Sequence, residues 1–139
     1  MRSGVTQLEL IVVLIVGGLL TALAVPRLVR LRDTSSVRAA MTDVGAAFAT
    51  ARQAAVTRRT SVAVVFDTAA GVLRVSSAGE TILRRSLRAS YSVSIGANRD
   101  SAVYDARGLG FGLTNLSLTV RRGTFVDTLT ISRLGRTVW

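Results

Sequence analysis

The sequence predicts an α+β fold, in which a long N-terminal helix with a transmembrane first half packs on an antiparallel β-sheet or small β-sandwich head. Three patterns predict this fold. The run from Leu10 to Val25 contains no charged residue. Apolar residues then recur every three or four positions as far as Ala55, which is the period of a helix with one buried face. From Ser61 onward the apolar period falls to two, which is typical of strands.

The apolar N-terminal segment is long enough to cross a membrane. Leu8 to Val25 comprises 18 residues, and a helix of that length spans roughly 27 Å, close to the thickness of a bilayer core. Glu9 lies at the start of this segment, where a carboxylate costs up to about 3 kcal/mol and usually has a partner. The amine of Val5 would supply that partner if the chain were cut after Gly4. We therefore expect residues 5–26 to form a transmembrane helix.

The helical pattern continues beyond this segment. We expect one helix from about Val5 to about Arg58, with Pro26 bending it because proline lacks an N–H group. The polar segment from Asp33 to Ser36 predicts a kink or a new helix cap. Residues 27–60 are expected to be amphipathic and to pack on the head through one apolar stripe: Val37, Met41, Val44, Phe48, Ala51 and Ala55.

Residues 61–139 are predicted to form the antiparallel β head. Turn residues separate short segments with an apolar period of two. The predicted strands are 61–66, 72–76, 81–87, 90–95, one containing Leu116 to Val120, and one running through Phe125 to Ile131. The glycine-rich segment from Gly108 to Gly112 is interpreted as a flexible loop, because it neither follows a clear strand nor opens a helix as a phosphate-binding loop would.

Composition excludes several chemistries. The chain has a net charge of +10 and no cysteine or histidine, so histidine bases, cysteine nucleophiles, disulfides and the usual zinc ligands are absent. All basic residues are arginine, and they are spread along the chain rather than collected in a basic tail. We therefore expect no enzymatic activity, no catalytic residue, no metal site and no cofactor.

The N-terminus resembles a known family. Arg-Ser-Gly, then Val-Thr-Gln-Leu-Glu-Leu and an apolar helix, is similar to the signal and first helix of type IV pilins and type II secretion pseudopilins. The resemblance implies that residues 1–4 are a leader peptide, and that prepilin peptidase cuts between Gly4 and Val5 and methylates the new N-terminus. It also implies that Glu9 aligns subunits during filament assembly, and that Gly18 and Pro26 are positions where the helix loosens or bends.

The second half, over roughly residues 37–139, resembles the GspH/FimT head of minor pseudopilins and minor pilins. The resembling segments are Phe66-Asp67 with Gly71, the glycine-rich segment, and the closing residues 129–136. The resemblance implies a minor pseudopilin that supports protein secretion, with other pilin or pseudopilin subunits, the membrane and the prepilin peptidase as partners. It further implies a single-pass protein of the bacterial inner membrane with a periplasmic head, which in the assembled filament lies in the periplasm or at the cell surface.

Three alternatives remain open. A FimT-like minor pilin of a type IV pilus would capture DNA for uptake, and the candidate DNA-binding residues are then Arg121, Arg122, Arg133 and Arg136. A secretory signal peptide would be cut after Ala24. A plain membrane anchor would explain the apolar segment but not Glu9. The arginines that follow the segment favour a cytoplasmic head by the positive-inside rule, in conflict with the resemblance.

Overall fold

The computed structural model describes residues 6–111, 116–132 and 137–138, without the side chains of residues 111, 137 and 138. The chain divides into two compact units, Met1–Arg32 and Asp33–Trp139. The predicted α+β fold is confirmed: a long N-terminal helix is followed by antiparallel strands that form two sheets.

Helix α1 runs from Gln7 to Arg58 without interruption and includes Pro26. Its first backbone bond joins the Leu10 N–H to the Thr6 carbonyl at 3.2 Å. At its end Arg59 adopts a left-handed φ of 50°, and the Thr60 N–H bonds the Ala55 carbonyl at 3.3 Å. This pattern closes a helix by satisfying a carbonyl of its last turn.

The expected new cap between Asp33 and Ser36 is wrong, because these residues lie within α1. The physical reason is a competing partner. Asp33 and Ser36 bind the guanidinium of Arg122 through their side chains, so they do not cap a backbone N–H.

The first unit consists of the apolar half of α1, and its large apolar side chains are exposed. Its most apolar stretch has a mean hydropathy of 2.6, none of it is buried, and the helix is long and apolar enough to cross a membrane.

In the second unit the helix has one buried face. The predicted stripe is confirmed, and Ala40 and Ala47 widen it. The buried residues of this face are Val37, Ala40, Met41, Val44, Ala47, Phe48, Ala51 and Ala55. Alanines between larger residues let the backbone of the helix approach the strands closely.

The head contains a short helix, α2, and the strands of two sheets. In chain order the elements are β1 (Val62–Asp67), β2 (Val72–Ser77), β3 (Glu80–Ser86), α2 (Leu87–Tyr91), β4 (Ser94–Ala97), β5 (Ser101–Tyr104), β6 (Gly110–Phe111), β7 (Leu116–Arg122), β8 (Phe125–Ile131) and β9 (Thr137–Val138). The first sheet has the order β3-β2-β1-β5-β6 and the second β4-β7-β8-β9. Every pair of neighbouring strands is antiparallel.

The core of the head joins the stripe of α1 to the inward side chains of both sheets. Phe48 lies at its centre, with ring centroids 5.9 Å from Phe66 on β1 and 6.4 Å from Tyr104 on β5. Burial raises the pKa of Tyr104, although the positive charge of Arg52 opposes this shift. The helix therefore takes part in the core of the head.

The predicted strand from Ser90 to Ile95 is wrong in its first half. Residues 87–91 form α2, and only Ser94 onward pairs with β7. Alternation suggested a strand here, but Leu87 is buried in the core and the Arg88 N–H bonds the Gly71 carbonyl at 3.2 Å. Tertiary packing thus overrides the local pattern.

The glycine-rich segment begins with a turn in which Gly108 adopts the positive φ expected of a loop glycine. Gly108 follows β5, is buried, and has a φ of 75°; a Cβ atom there would lie 2.9 Å from Val56 Cγ2. The Asp105 carboxylate accepts bonds from the N–H groups of Arg107 and Leu109 at 2.9 and 2.8 Å. Gly110 belongs to β6, and Gly112 lies outside the described residues. Residues 105–109 thus form a tight turn that packs against α1.

Candidate functional site

The residues predicted to direct processing and assembly lie along the first unit. Gly4 and Val5 fall outside the described residues. Glu9 is in the first turn of α1, and Gly18 and Pro26 lie further along the same helix. A Cβ atom at Gly18 would meet nothing within 4 Å, so packing within the described chain does not require glycine there.

Sequence reasoning missed the role of Thr6. Its Oγ1 accepts a bond from the Glu9 N–H at 3.3 Å, which makes Thr6 the N-cap of α1. Thr6-Gln7-Leu8-Glu9 has the capping-box pattern, a threonine followed three residues later by glutamate. The signal was present in the sequence. A carboxylate in the first turn is also favoured by the helix dipole, so the position of Glu9 suits both a helix start and a contact with a cationic group.

Arg122, one of the candidate DNA-binding residues, is held inside the head. Its Nε lies 2.9 Å from Asp33 Oδ1, and its Nη1 lies 2.8 Å from Ser36 Oγ. Nη1 also donates to the Tyr91 carbonyl. The two charged side chains are only 17% and 18% exposed. The guanidinium of Arg122 therefore connects β7, α2 and α1 through its Nε and Nη1 donors.

A second polar contact strengthens this connection. The Tyr91 hydroxyl lies 2.9 Å from Asp43 Oδ2. This bond to Asp43, with smaller effects of burial and of the Asp43 charge, raises the pKa of Tyr91, and the charge of Arg85 opposes the shift. The segment of α1 from Asp33 to Asp43 is thus tied to the head by two polar contacts in addition to its apolar stripe.

Arg121, the neighbour of Arg122, is exposed and lines an open groove of about 460 Å³. Arg88, Ser92, Ser94 and Arg122 also line this groove, and we name it the basic groove. Within the described ranges the groove brings Arg121 and Arg122 together with Arg88. The other candidates, Arg133 and Arg136, lie outside the described residues.

Among the residues that the structure describes, no three His, Cys, Asp or Glu side chains come together as metal ligands would.

Comparison with known proteins gives a family and a fold. The family model described as type II transport protein GspH matches residues 40–135. Two crystal structures of the type IV minor pilin FimU from Pseudomonas aeruginosa strain PAO1 are similar to the chain, both at 15% sequence identity. The first has a TM-score of 0.63 and covers 76% of this chain and 88% of FimU. The second has a TM-score of 0.59 and covers 73% and 90%. No curated protein sequence matches. At this identity the FimU similarity establishes the fold.

Proposed function

The chain belongs to the GspH family of pilin-like subunits, and from this premise we propose that it is a minor pseudopilin of a type II secretion pseudopilus. The family match over residues 40–135 is the observation that carries the proposal. The chain would help to initiate or extend a filament whose growth moves folded proteins across the outer membrane. Its partners would be other pseudopilin subunits, assembled through the N-terminal helix.

The apolar half of α1 supports an anchoring role. Its large apolar side chains are exposed, for example Leu14 at 66% and Leu23 at 65%. Exposed apolar surface on this scale is unfavourable in water, and a bilayer or neighbouring helices would cover it. We propose that this segment resides in the bacterial inner membrane before assembly, with the head in the periplasm.

Processing is the first step of the proposed mechanism. Prepilin peptidase would cut between Gly4 and Val5 and methylate the new amine. The amine would then lie four residues before Glu9, within reach of its carboxylate or that of a neighbouring subunit. Glu9 would select and align the incoming subunit by this charge contact, because an unpaired carboxylate is unfavourable in the membrane.

Intact mass of the protein purified from its own membranes tests the processing step. The expected mass lacks Met1 to Gly4 and includes one additional methyl group. An uncut chain, or one cut after Ala24, contradicts the proposal and favours a plain anchor or a secreted protein.

Glu9→Leu tests the assembly step. The substitution removes the charge and keeps the segment apolar, so we expect normal membrane insertion and loss of incorporation into the filament. Glu80→Leu is the matched control, because Glu80 is an exposed carboxylate of the head. Carbonate extraction measures insertion, and recovery in sheared filaments measures incorporation. Normal incorporation of Glu9→Leu would show that the carboxylate has no role in assembly.

A second candidate function is that of a type IV minor pilin that binds DNA during uptake. The observation behind this candidate is the similarity in fold to FimU, which is a type IV minor pilin. DNA contact would involve Arg121, Arg133 and Arg136, whereas Nε and Nη1 of Arg122 already bond Asp33, Ser36 and Tyr91.

Salt-dependent DNA binding distinguishes the two functions. Under the second, the full chain in neutral detergent binds duplex DNA with an affinity that falls steeply as salt increases. Arg133→Ala with Arg136→Ala lowers both the affinity and the salt dependence. No binding at low salt excludes this function and leaves the secretion role.

A further inference from the structure

We propose that the basic groove binds the anionic headgroup of a phospholipid, and that it rests the head on the membrane surface before the subunit enters the filament. This inference depends on the proposed membrane anchoring of the first unit. It assigns to the groove a role in lipid binding, which is separate from the role of the N-terminal helix in filament assembly.

The chemistry of the groove suits a phosphate. Its exposed cationic residues are Arg88 and Arg121, and none of its lining residues is acidic. Asp33 neutralises Arg122 from within the head, so the groove keeps a net positive charge from the other two arginines. Guanidinium groups bind phosphate oxygens through paired hydrogen bonds, and serine hydroxyls supply further donors.

The groove is built by ordered backbone. The Ser92 N–H bonds the Arg88 carbonyl at 2.9 Å and ends α2, and Ser92 has a left-handed φ of 54°. Ser94 pairs with Arg121 across β4 and β7. The contacts of Arg122 with Asp33 and Tyr91 hold the floor of the groove. The two exposed arginines therefore extend from a rigid frame.

Chain connectivity limits how far the groove can be from the apolar segment. The groove residue Arg122 bonds Asp33 at 2.9 Å, and a Cβ atom at the neighbouring Gly123 would lie 2.5 Å from Asp33 Oδ2. Asp33 follows Val25, the last residue of the apolar run, by eight positions. Even a fully extended chain of that length spans at most about 28 Å.

The intervening residues have the composition of a segment at a membrane surface. They include Arg27, Arg30 and Arg32 before the first acid, Asp33. Basic residues close to a membrane are attracted to anionic lipids within about one Debye length. We infer a phospholipid headgroup rather than free phosphate, because the lipid would be concentrated where the anchored chain holds the groove.

The test uses the full chain purified in a neutral detergent. It is titrated with short-chain phosphatidylglycerol, and with phosphatidylcholine of the same chain length as the zwitterionic control. Native mass spectrometry counts the bound lipids. We expect one tightly bound phosphatidylglycerol per chain. Each arginine should contribute about fivefold to the affinity, so Arg88→Gln with Arg121→Gln should lower it roughly 25-fold.

The matched control removes two exposed arginines from the other end of the head, Arg59→Gln with Arg107→Gln. Arg107 precedes Gly108, which packs against Arg52 and Val56, and Arg52 lies about 28 Å along α1 from Asp33 at 1.5 Å per residue. We expect the control to bind phosphatidylglycerol like the unaltered chain. Circular dichroism verifies that both variants fold.

Three results would overturn the inference. Equal losses in the groove and control variants would mean that net charge alone attracts the lipid. Competition by millimolar inorganic phosphate as effective as that by phosphatidylglycerol would mean that the acyl chains and membrane proximity are irrelevant. Tighter binding of a short DNA duplex to the same arginines would assign the groove to nucleic acid. None of these results depends on processing at Gly4, which intact mass measures separately.

Discussion

The two halves of α1 differ in composition and in their surroundings. Both lie in one helix from Gln7 to Arg58, but the first half is rich in Leu and Val, whereas the second half is rich in Ala and contains no Leu. In the first half the apolar side chains are exposed on all sides, whereas in the second eight residues on one face are buried. The second half therefore contributes to the core of the head, whereas the apolar side chains of the first half are not covered by other described residues.

The largest expected loss of stability tests whether only the second half of α1 contributes to the core. Phe48→Ala removes a ring from the centre of the core and should lower the free energy of unfolding of the head by about 3 to 5 kcal/mol. Leu14→Ala removes a comparable apolar side chain that is 66% exposed and should leave the head unchanged. Urea unfolding of the full chain in neutral detergent, followed by near-ultraviolet circular dichroism, measures both. A similar loss in Leu14→Ala would contradict the division.

The next effect concerns the polar contacts that hold α1. Arg122→Gln leaves the Asp33 carboxylate, which is 18% exposed, without its cation and should cost about 2 to 3 kcal/mol. Arg58→Gln removes the ion pair with Glu80, whose side chains are 46% and 71% exposed, and should cost less than about 1 kcal/mol. The same unfolding experiment applies. Equal costs would mean that burial does not strengthen the Arg122 contact.

Two glycines, one in the head and one in the apolar half of α1, should respond in opposite ways to substitution by alanine. Gly123 has a φ of 56°, and a Cβ atom there would lie 2.5 Å from Asp33 Oδ2, so Gly123→Ala should cost about 1 to 2 kcal/mol. Gly18 is helical with no neighbour within 4 Å, and Gly18→Ala should raise helix stability by up to about 1 kcal/mol. Unfolding of the head measures the first, and helicity in detergent micelles measures the second. A stabilising Gly123→Ala would refute the close contact with Asp33.

The smallest expected effect is the loss of stability caused by ionisation of Tyr104, which occurs only at alkaline pH. Because folding raises the pKa of Tyr104 above its ordinary value of 10.0, its un-ionised phenol contributes stability fully below pH 10.0, and this contribution is lost as the pH rises through the raised value. Stability should therefore fall above pH 10.0, and it should fall less steeply in Tyr104→Phe. Tyr91, whose pKa is also raised, will maintain part of the slope. Identical slopes in variant and unaltered chain would exclude a contribution from Tyr104.

Much of the fold could be predicted from periodicity. The apolar stripe from Val37 to Ala55 and the hairpins of β1 with β2 and β7 with β8 follow from local spacing, and the structure confirms them. The strands β5, β6 and β9 were not predicted, because each has no more than four residues. Helix α2 was mistaken for a strand, because Ser90 to Ile95 alternates, whereas packing of Leu87 and bonding of Arg88 require a helical turn.

Some residues of the candidate site could likewise be identified from the sequence, and others could not. Glu9 and the apolar segment could be recognised in the sequence, because the pattern that identifies them is formed by consecutive residues. Arg121 and Arg122 are adjacent and chemically identical in the sequence, and both line the groove. Arg121 is exposed, however, whereas Arg122 is partly buried and bonds Asp33, which is 89 positions away. No local pattern distinguishes them, because successive residues of a strand point to opposite faces and only the assembled head shows which face is covered.

The sequence alone therefore established the helix-first α+β plan, the membrane-compatible apolar segment and the acid at its start, because helix period, length and charge are properties of neighbouring residues. Tertiary structure decided which arginines of the groove are exposed, why Gly108 and Gly123 favour glycine, and where α1 becomes part of the head. These features arise where distant segments meet, at the contacts of Arg122 with Asp33 and of Gly108 with Val56.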